Sequence, residues 1–134
     1  MLFADTGFVV ALLHRRDELH PRARAWVAAE ISTILVSEPV CFEVMNQLSK
    51  PNDRHLAPAA RRWIFENRLV RYVPSDHETN EAAWRMYSRH SDKEWSLTDC
   101  HSFVLMRQFG IREALAHDIH FEQAGFVALL PRNP

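Results

Sequence analysis

Hydrophobic residues recur along the chain with two alternating spacings. Short unbroken apolar runs predict buried strands, whereas apolar positions every three to four residues predict amphipathic helices. The predicted strands cover residues 2–4, 33–36, 70–73, 113–117 and 126–130. The predicted helices cover residues 7–13, 17–30, 37–48, 58–69, 76–90, 96–109 and 119–124. Strands that alternate with helices are typical of an α/β, three-layer fold with a central, mainly parallel sheet flanked by helices.

Local signals support several of these helices. Pro39 follows Ser37 and Glu38 at the favoured start of a helix. Ser96 and Asp99 have the spacing of a capping box, and Gly110 is placed to cap the end of the same helix. The residues predicted to face inward from the two longest amphipathic patterns are Leu19, Ala23, Trp26 and Val27, and Ala82, Ala83, Met86 and Tyr87.

Length and composition narrow the class of protein. A chain of 134 residues fits one domain, residues 1–134, with 47% hydrophobic and 25% charged residues as in ordinary globular proteins. Two cysteines are too few for a disulfide-rich secreted scaffold and indicate a reducing compartment, so we expect a cytoplasmic protein. The longest apolar run, residues 8–13, is far too short to span a membrane, and residues 1–15 lack the pattern of a signal peptide.

The charge pattern permits a nucleic-acid partner without requiring one. The net charge is −1, yet only two of the 16 basic residues are lysine, and the arginine fork suits bidentate phosphate contacts. The simpler explanation of this excess of arginine over lysine is a genome that favours arginine codons. Candidate RNA contacts are Arg15 and Arg16, which could also be solvated, and Trp95, which could stack an unpaired base or belong to the core.

Acidic residues lie at the ends of predicted strands and in the first two turns of predicted helices, where α/β proteins collect ligand sites. They are Asp5, Glu43, Asp99 and Asp118. Carboxylates gathered at one edge repel each other by about 3 kcal/mol per pair at about 5 Å and an effective dielectric constant near 20. Divalent cations relieve that repulsion, and carboxylate oxygens suit Mg²⁺ or Mn²⁺. Such ions activate water and assist in-line phosphoryl displacement, with Thr6, Ser37 and Thr98 as candidate orienting hydroxyls.

Each acid also has a structural explanation. Asp5, Asp99 and Asp118 each precede or begin a predicted helix and could act only as caps. Glu43 lies at the edge of an apolar helix face, where a solvated acid is ordinary.

The motifs around these acids resemble a known family. In order along the chain they are Phe-Ala-Asp-Thr-Gly at 3–7, Leu-Val-Ser at 35–37 with Glu43 six positions on, Trp-Ser-Leu-Thr-Asp-Cys-His-Ser-Phe at 95–103, and Ala-Leu-Ala-His-Asp-Ile-His-Phe-Glu-Gln-Ala-Gly-Phe at 114–126. Together they are similar to PIN domains, specifically to the small ribonuclease toxins of the VapC type. The resemblance spans nearly the whole chain.

This resemblance implies a PIN-like fold and cleavage of RNA phosphodiester bonds that depends on Mg²⁺ or Mn²⁺. It implies that the family's four acids correspond to those named above. It also implies a homodimer and a cognate antitoxin protein whose tail covers the acidic pocket. Two positions depart from the family pattern: Gly7 stands where serine is frequent, and His117 stands where a small or apolar residue or threonine is common.

Other functions fit the sequence less well. Asp5-Thr6-Gly7 also spells the aspartic-protease triplet, but that chemistry belongs to an all-β framework. A zinc site would have to use Cys100, His101, His117 and His120, with no Cys-x-x-Cys pair. The remaining alternative is a catalytically inactive PIN-like module that regulates or binds through a protein partner.

Overall fold

Five short parallel strands form one central sheet in the structure, a computed structural model that describes residues 1–134. The strands are β1 (Leu2–Ala4), β2 (Ile34–Ser37), β3 (Val70–Val73), β4 (Glu113–Leu115) and β5 (Val127–Ala128). Their order in the sheet is β3-β2-β1-β4-β5, and every neighbouring pair is parallel. The mainly parallel sheet predicted from the apolar runs is confirmed.

Seven α-helices connect the strands. They are α1 (Thr6–Leu13), α2 (His20–Ala28), α3 (Glu38–Gln47), α4 (Ala57–Glu66), α5 (His77–Arg89), α6 (Leu97–Phe109) and α7 (Ile119–Gln123). A 3-10 helix at Arg54–Leu56, which the apolar pattern did not predict, precedes α4. None of these helices has the length and apolar character needed to cross a membrane.

The helices form two layers, one on each face of the sheet. α1 packs against α2, α3 and α4, whereas α5 packs against α6 and α6 against α7. The chain adds β2 and β3 on one side of β1, then crosses back and adds β4 and β5 on the other side. Because the crossovers between parallel strands are right-handed, this reversal places the helices on both faces of the sheet. The predicted three-layer α/β architecture is confirmed.

Several boundaries and one side chain differ from the sequence-based prediction. α2 is shorter than residues 17–30, because Asp17 Oδ1 accepts the backbone N–H of Leu19 in a separate turn before the helix. β4 ends at Leu115, so Asp118 follows a two-residue link and does not end the strand directly. The predicted inward position of Tyr87 is wrong: the ring is 43% exposed and stacks on Trp84.

Aromatic packing fixes α6 and α7 to the centre of the sheet. The ring of Phe121 lies between Phe3 on β1 and Phe103 on α6, with centroid distances of 6.2 and 5.1 Å. All three rings are fully buried. Because α6 carries Asp99 and Asp118 caps the start of α7, this cluster sets the distance of both acids from β1.

The strand order reverses beside β1, which pairs with β2 on one side and β4 on the other. The crevice at the carboxyl ends of two such strands is the usual ligand site of a parallel sheet. Asp5 follows β1, and Asp118 lies shortly after β4, so two of the predicted site residues flank this crevice.

Candidate active site

Asp5 lies at the carboxyl end of β1, in the N-cap position of α1. Its backbone is extended, with φ −82° and ψ 162°, and its N–H donates to the carbonyl of Leu115 at 3.2 Å. Its side chain makes no capping hydrogen bond. The structural explanation that Asp5 serves as a helix cap is therefore not borne out.

Burial and neighbouring charges shift the pKa of the Asp5 carboxyl group. Burial raises the pKa of Asp5 from 3.8 to about 7, against a hydrogen bond from the backbone N–H of Thr6 that lowers it. Three further carboxylates also raise this pKa through their negative charge, and they are Asp99, Glu43 and Asp118. The side chains predicted to gather at one edge thus act on one another there.

Asp99 is oriented by two elements at once. Its backbone N–H donates to Ser96 Oγ at 2.9 Å, and its Oδ2 accepts the backbone N–H of Ser96 at 3.0 Å, which completes the predicted capping box of α6. The same Oδ2 also accepts a hydrogen bond from Nδ1 of His120, with 2.9 Å between the two atoms. Oδ1 has no hydrogen-bond partner in the protein, so one oxygen fixes the carboxylate and the other stays available.

Asp118 shows the same division between its two oxygens. Oδ1 accepts the backbone N–H of His120 at 2.9 Å and caps α7. Nδ1 of His120 lies 3.3 Å from that oxygen. Oδ2 makes no hydrogen bond. Capping is therefore real for Asp99 and Asp118, but it occupies only half of each carboxylate.

His120 is a site residue that the sequence analysis considered only as a zinc ligand. Its ring lies between the carboxylates of Asp99 and Asp118, and its side chain is 20% exposed. The signal that could have revealed it is its position two residues after Asp118, on the first turn of a helix capped by that residue.

Glu43 reaches the site from the neighbouring helix. Ser37 caps α3 by accepting the N–H of Val40 at 3.3 Å, and Val40 and Val44 are fully buried against the core. This packing places Glu43, on the second turn of α3, close enough to Asp5 to affect its pKa. Glu43 is half-buried, and its carboxylate has no hydrogen bond in the protein.

None of the three predicted orienting hydroxyls hydrogen-bonds to the four carboxylates. Ser37 Oγ accepts the backbone N–H of Val40 as the α3 cap and keeps its own O–H, so its orienting role stays a prediction. Thr98 lies beside a cavity of about 340 Å³ between α3, α5 and α6. Thr6 Oγ1 is buried next to Asp5 without any hydrogen-bond partner, so its role in the site stays a prediction.

The donor set fits a hard divalent cation. No three His, Cys, Asp or Glu side chains form a ready-made coordination shell. Mg²⁺ keeps several waters and is usually held by only one or two carboxylates, so a complete protein shell is not required. The free oxygens of Asp99 and Asp118, the unbonded carboxylate of Glu43 and the unpartnered Thr6 hydroxyl supply oxygen donors at this edge.

The zinc and protease hypotheses do not match the structure. Cys100 and His101 are buried, and neither ring nitrogen of His101 has a hydrogen-bond partner. His117, which directly precedes Asp118 in the chain, is exposed. An α/β protein with an entirely parallel sheet is also not the all-β framework of aspartic proteases.

The predicted RNA contacts divide into two groups. Trp95 is only 8% exposed, packs against Phe103 and donates its Nε1–H to Gln123 Oε1 at 3.0 Å. Its predicted stacking on a base is wrong, because a ring enclosed in the core offers no face to a nucleotide. Arg15 and Arg16 are both exposed, immediately after α1.

Known proteins share both the sequence pattern and the fold. The PIN domain family model matches residues 2–127. The chain is 34% identical over 131 residues to the 23S rRNA-specific endonuclease VapC20 of Mycobacterium tuberculosis. The aligned region covers 98% of this chain and 99% of that protein. The crystal structure of VapC20, described as a sarcin-ricin loop cleaving toxin, superposes with a TM-score of 0.89 at 32% identity over 96% of this chain and 98% of the other.

A more distant structure has the same fold. FitAcB from Neisseria gonorrhoeae has a TM-score of 0.68 at 18% identity, over 96% of this chain and 95% of that one.

Proposed function

The chain belongs to the PIN-domain family, and from that premise we propose how its acidic site cleaves RNA and what regulates it. It is an endoribonuclease of the VapC toxin type. We propose that the reaction depends on Mg²⁺ or Mn²⁺. The proposed ion ligands and catalytic residues are Asp5, Glu43, Asp99 and Asp118.

The observation that carries this proposal is the state of Asp5. A carboxyl group with a pKa of about 7 is poorly stabilised as an anion, because it is buried and faces three other acids. A divalent cation removes both penalties at once. The site therefore favours a cation over a vacant, mutually repelling set of carboxylates.

Each residue has a distinct part in the reaction. A bound ion would supply an activated water and would stabilise charge on the phosphate oxygens. His120 holds the Oδ2 of Asp99 and the Oδ1 of Asp118, so the opposite oxygens of these acids point to a fixed place. Asp5 would give up its proton on binding the ion, and Glu43 on α3 lies close enough to raise the pKa of Asp5. No side-chain nucleophile is needed.

We propose 23S rRNA, at the sarcin-ricin loop, as the substrate. The relative with that described activity aligns with nearly the full length of both chains, and the two folds agree closely. We further propose a cognate antitoxin as the partner that inhibits the enzyme, since the related protein is a toxin. An RNA substrate and two free buried thiols, Cys41 and Cys100, are consistent with action in the cytoplasm.

We propose that the chain forms a homodimer through a surface that we call the α5 face. This surface consists of the half-buried Pro39 and four exposed apolar side chains on α3, α5 and the start of α6: Phe42, Trp84, Tyr87 and Leu97. Phe42 and Trp84 are 65% and 54% exposed, which is costly for side chains of this size in a monomer. Light scattering of the purified protein should give twice the chain mass, and Trp84→Glu should give the monomer mass.

RNA cleavage with purified protein tests the proposed function. Intact ribosomes and a synthetic sarcin-ricin hairpin are incubated with Mn²⁺, with Mg²⁺ and with a chelator, and the ends are mapped by primer extension. We expect one cut in the loop that requires the ion and is absent with Asp5→Asn. Cleavage that persists in chelator would contradict the metal mechanism. No cleavage of any RNA would favour the inactive binding module.

A further inference from the structure

A second cleft lies at the far end of the two helices that carry Asp5 and Glu43. It has a volume of about 640 Å³ and separates the segment after α1 from the segment between α3 and α4. Its lining is mostly polar or charged: Leu13, His14, Arg15, Arg16, Asn52, Asp53, His55 and Leu56. We call it the arginine cleft.

The arginine cleft carries unneutralised positive charge. Arg15 and Arg16 are exposed, and neither guanidinium forms an ion pair with an acid. Asp53 is the one acid in the lining, and its Oδ1 is engaged by Nε2 of His14 at 3.1 Å. The cleft therefore presents two guanidinium groups without an ion pair beside a single carboxylate, and that carboxylate is already hydrogen-bonded to His14.

A single histidine braces the two walls of the cleft. The backbone N–H of Arg16 donates to Nδ1 of His14 at 3.3 Å, so the ring proton is placed on Nε2, which donates to Asp53. This contact joins segments that are 39 residues apart in the chain. The arginines are thus attached to a loop that is already held in position before any ligand arrives, which reduces the entropy lost on binding.

The position of the cleft relative to the acids is set by α1. This helix begins directly after Asp5 and ends at Leu13, and its eight residues span about 12 Å. It packs against α3, which carries Glu43. At about 3.4 Å of rise per nucleotide in a stacked strand, the distance corresponds to roughly four nucleotides.

We propose that the arginine cleft binds the sugar-phosphate backbone of the RNA substrate, roughly four nucleotides from the phosphate that is cut. The inference rests on the proposed function and adds a second point of attachment. The acidic site repels polyanions, so a separate basic surface must supply the affinity. Guanidinium groups bind phosphate oxygens through paired hydrogen bonds. With only Leu13 and Leu56 as apolar lining, the cleft lacks the anchor pocket that a protein segment needs.

Charge removal in the cleft tests the proposal. The variant Arg15→Ala/Arg16→Ala is compared with Arg85→Ala/Arg112→Ala, which removes the same formal charge from two exposed arginines without ion pairs, on α5 and just before β4. Affinity for a labelled sarcin-ricin hairpin is measured as a function of salt, with Asp5→Asn added to every protein to prevent cleavage. A plot of the logarithm of the association constant against the logarithm of the salt concentration has a negative slope. This slope should be less steep by about 1.4 in the cleft variant, since each phosphate contact to a single strand contributes about 0.7.

Kinetics give a second readout in proteins that retain Asp5. The cleft variant should raise KM for the hairpin about tenfold with little change in kcat, because it weakens attachment without touching the reacting atoms. A substrate of about two nucleotides, too short to reach a cleft roughly four nucleotides away, should be cut equally by the wild type and both variants.

Three outcomes would overturn the proposal. The cleft variant could retain the affinity and salt slope of its control, the short substrate could lose as much as the hairpin, or the variant could lose antitoxin binding and keep RNA binding. The binding measurement needs no cleavage. If the wild type cuts no RNA, the proposed function fails, while the salt slope still decides whether the cleft holds RNA.

Discussion

Nδ1 of His120 lies 2.9 Å from Oδ2 of Asp99, a hydrogen bond that joins the first turn of α7 to the first turn of α6. The same nitrogen is 3.3 Å from Oδ1 of Asp118. A neutral or charged imidazole thus bridges two of the four acids. It leaves the second oxygen of each carboxylate without a hydrogen bond and turned away from the ring.

Removing this bridge should loosen both carboxylates. His120→Ala is expected to reduce RNA cleavage and Mn²⁺ affinity by about 10- to 100-fold, the usual effect of losing a group that orients metal ligands. The measurement is kcat/KM together with a Mn²⁺ binding isotherm. His117→Ala, an exposed histidine in the same segment, is the control and should stay within about twofold. Equal losses in both variants would show that the bridge has no special role.

The pKa of Asp5 makes the stability of the metal-free protein depend on pH. The folded protein holds this proton up to about pH 7, whereas the unfolded chain loses it near 3.8, so unfolding releases a proton between these values. Stability contributed by this group should therefore fall as the pH rises from about 4 to 7. Asp5→Asn, which cannot ionise, should be more stable than wild type by about 4 kcal/mol at pH 8 and nearly equally stable at pH 4.

Urea unfolding in the presence of a chelator measures this difference. A wild type and an Asp5→Asn variant with parallel stability from pH 4 to 8 would contradict the raised pKa. Asp92→Asn, an exposed acid far along the chain from any strand end, serves as the control and should not change the pH dependence.

Ion binding should be linked to the same proton. Because Asp5 must lose its proton to become a ligand, Mn²⁺ affinity should increase with pH up to about 7 and then level off. Calorimetry in two buffers of different ionisation enthalpy reports the number of protons released. We expect release close to one proton at pH 6 and close to none at pH 8.5. Release that does not change over this range would exclude Asp5 as the titrating ligand.

Two glycines offer a matched test of the fold. Gly110 caps α6 with φ +66°, a conformation that costs an L-residue about 1 kcal/mol, so Gly110→Ala should lower stability by about that amount. Gly7 has a negative φ on the first turn of α1, and a Cβ there meets no atom within 4 Å. Gly7→Ala should raise stability by about 0.5 kcal/mol. Thermal unfolding that shows the same sign for both variants would be inconsistent with this structure.

The sequence predicted the fold where the signals are local. The capping box of Ser96 and Asp99 and the left-handed Gly110 mark α6 correctly because cap chemistry depends on residues within one turn. Tyr87 was misplaced, and Trp95 was left open between base stacking and the core, for the opposite reason. Whether an aromatic ring is covered depends on distant partners, such as Gln123 for Trp95, and no pattern in the segment itself encodes them.

The candidate site divides in the same way. Asp5 and Asp118 could be placed near each other from the general rule that ligands bind at the carboxyl ends of parallel strands. Glu43 was placed in the same set from its position on the second turn of the helix that follows β2, and the family resemblance independently pointed to it. His120 was not expected to bridge the acids, since this contact depends on how α7 packs beside α6 through Phe121 and Phe103.

Mn²⁺ binding followed by electron paramagnetic resonance tests most directly whether the four carboxylates form one cation site. The wild type should remove free Mn²⁺ from solution at pH 7.5. Asp5→Asn and Asp99→Asn, both folded by circular dichroism, should each lose at least about tenfold in affinity, while Asp92→Asn binds as the wild type does. Unchanged binding in Asp5→Asn and Asp99→Asn would show that the ion is held elsewhere or not by these acids.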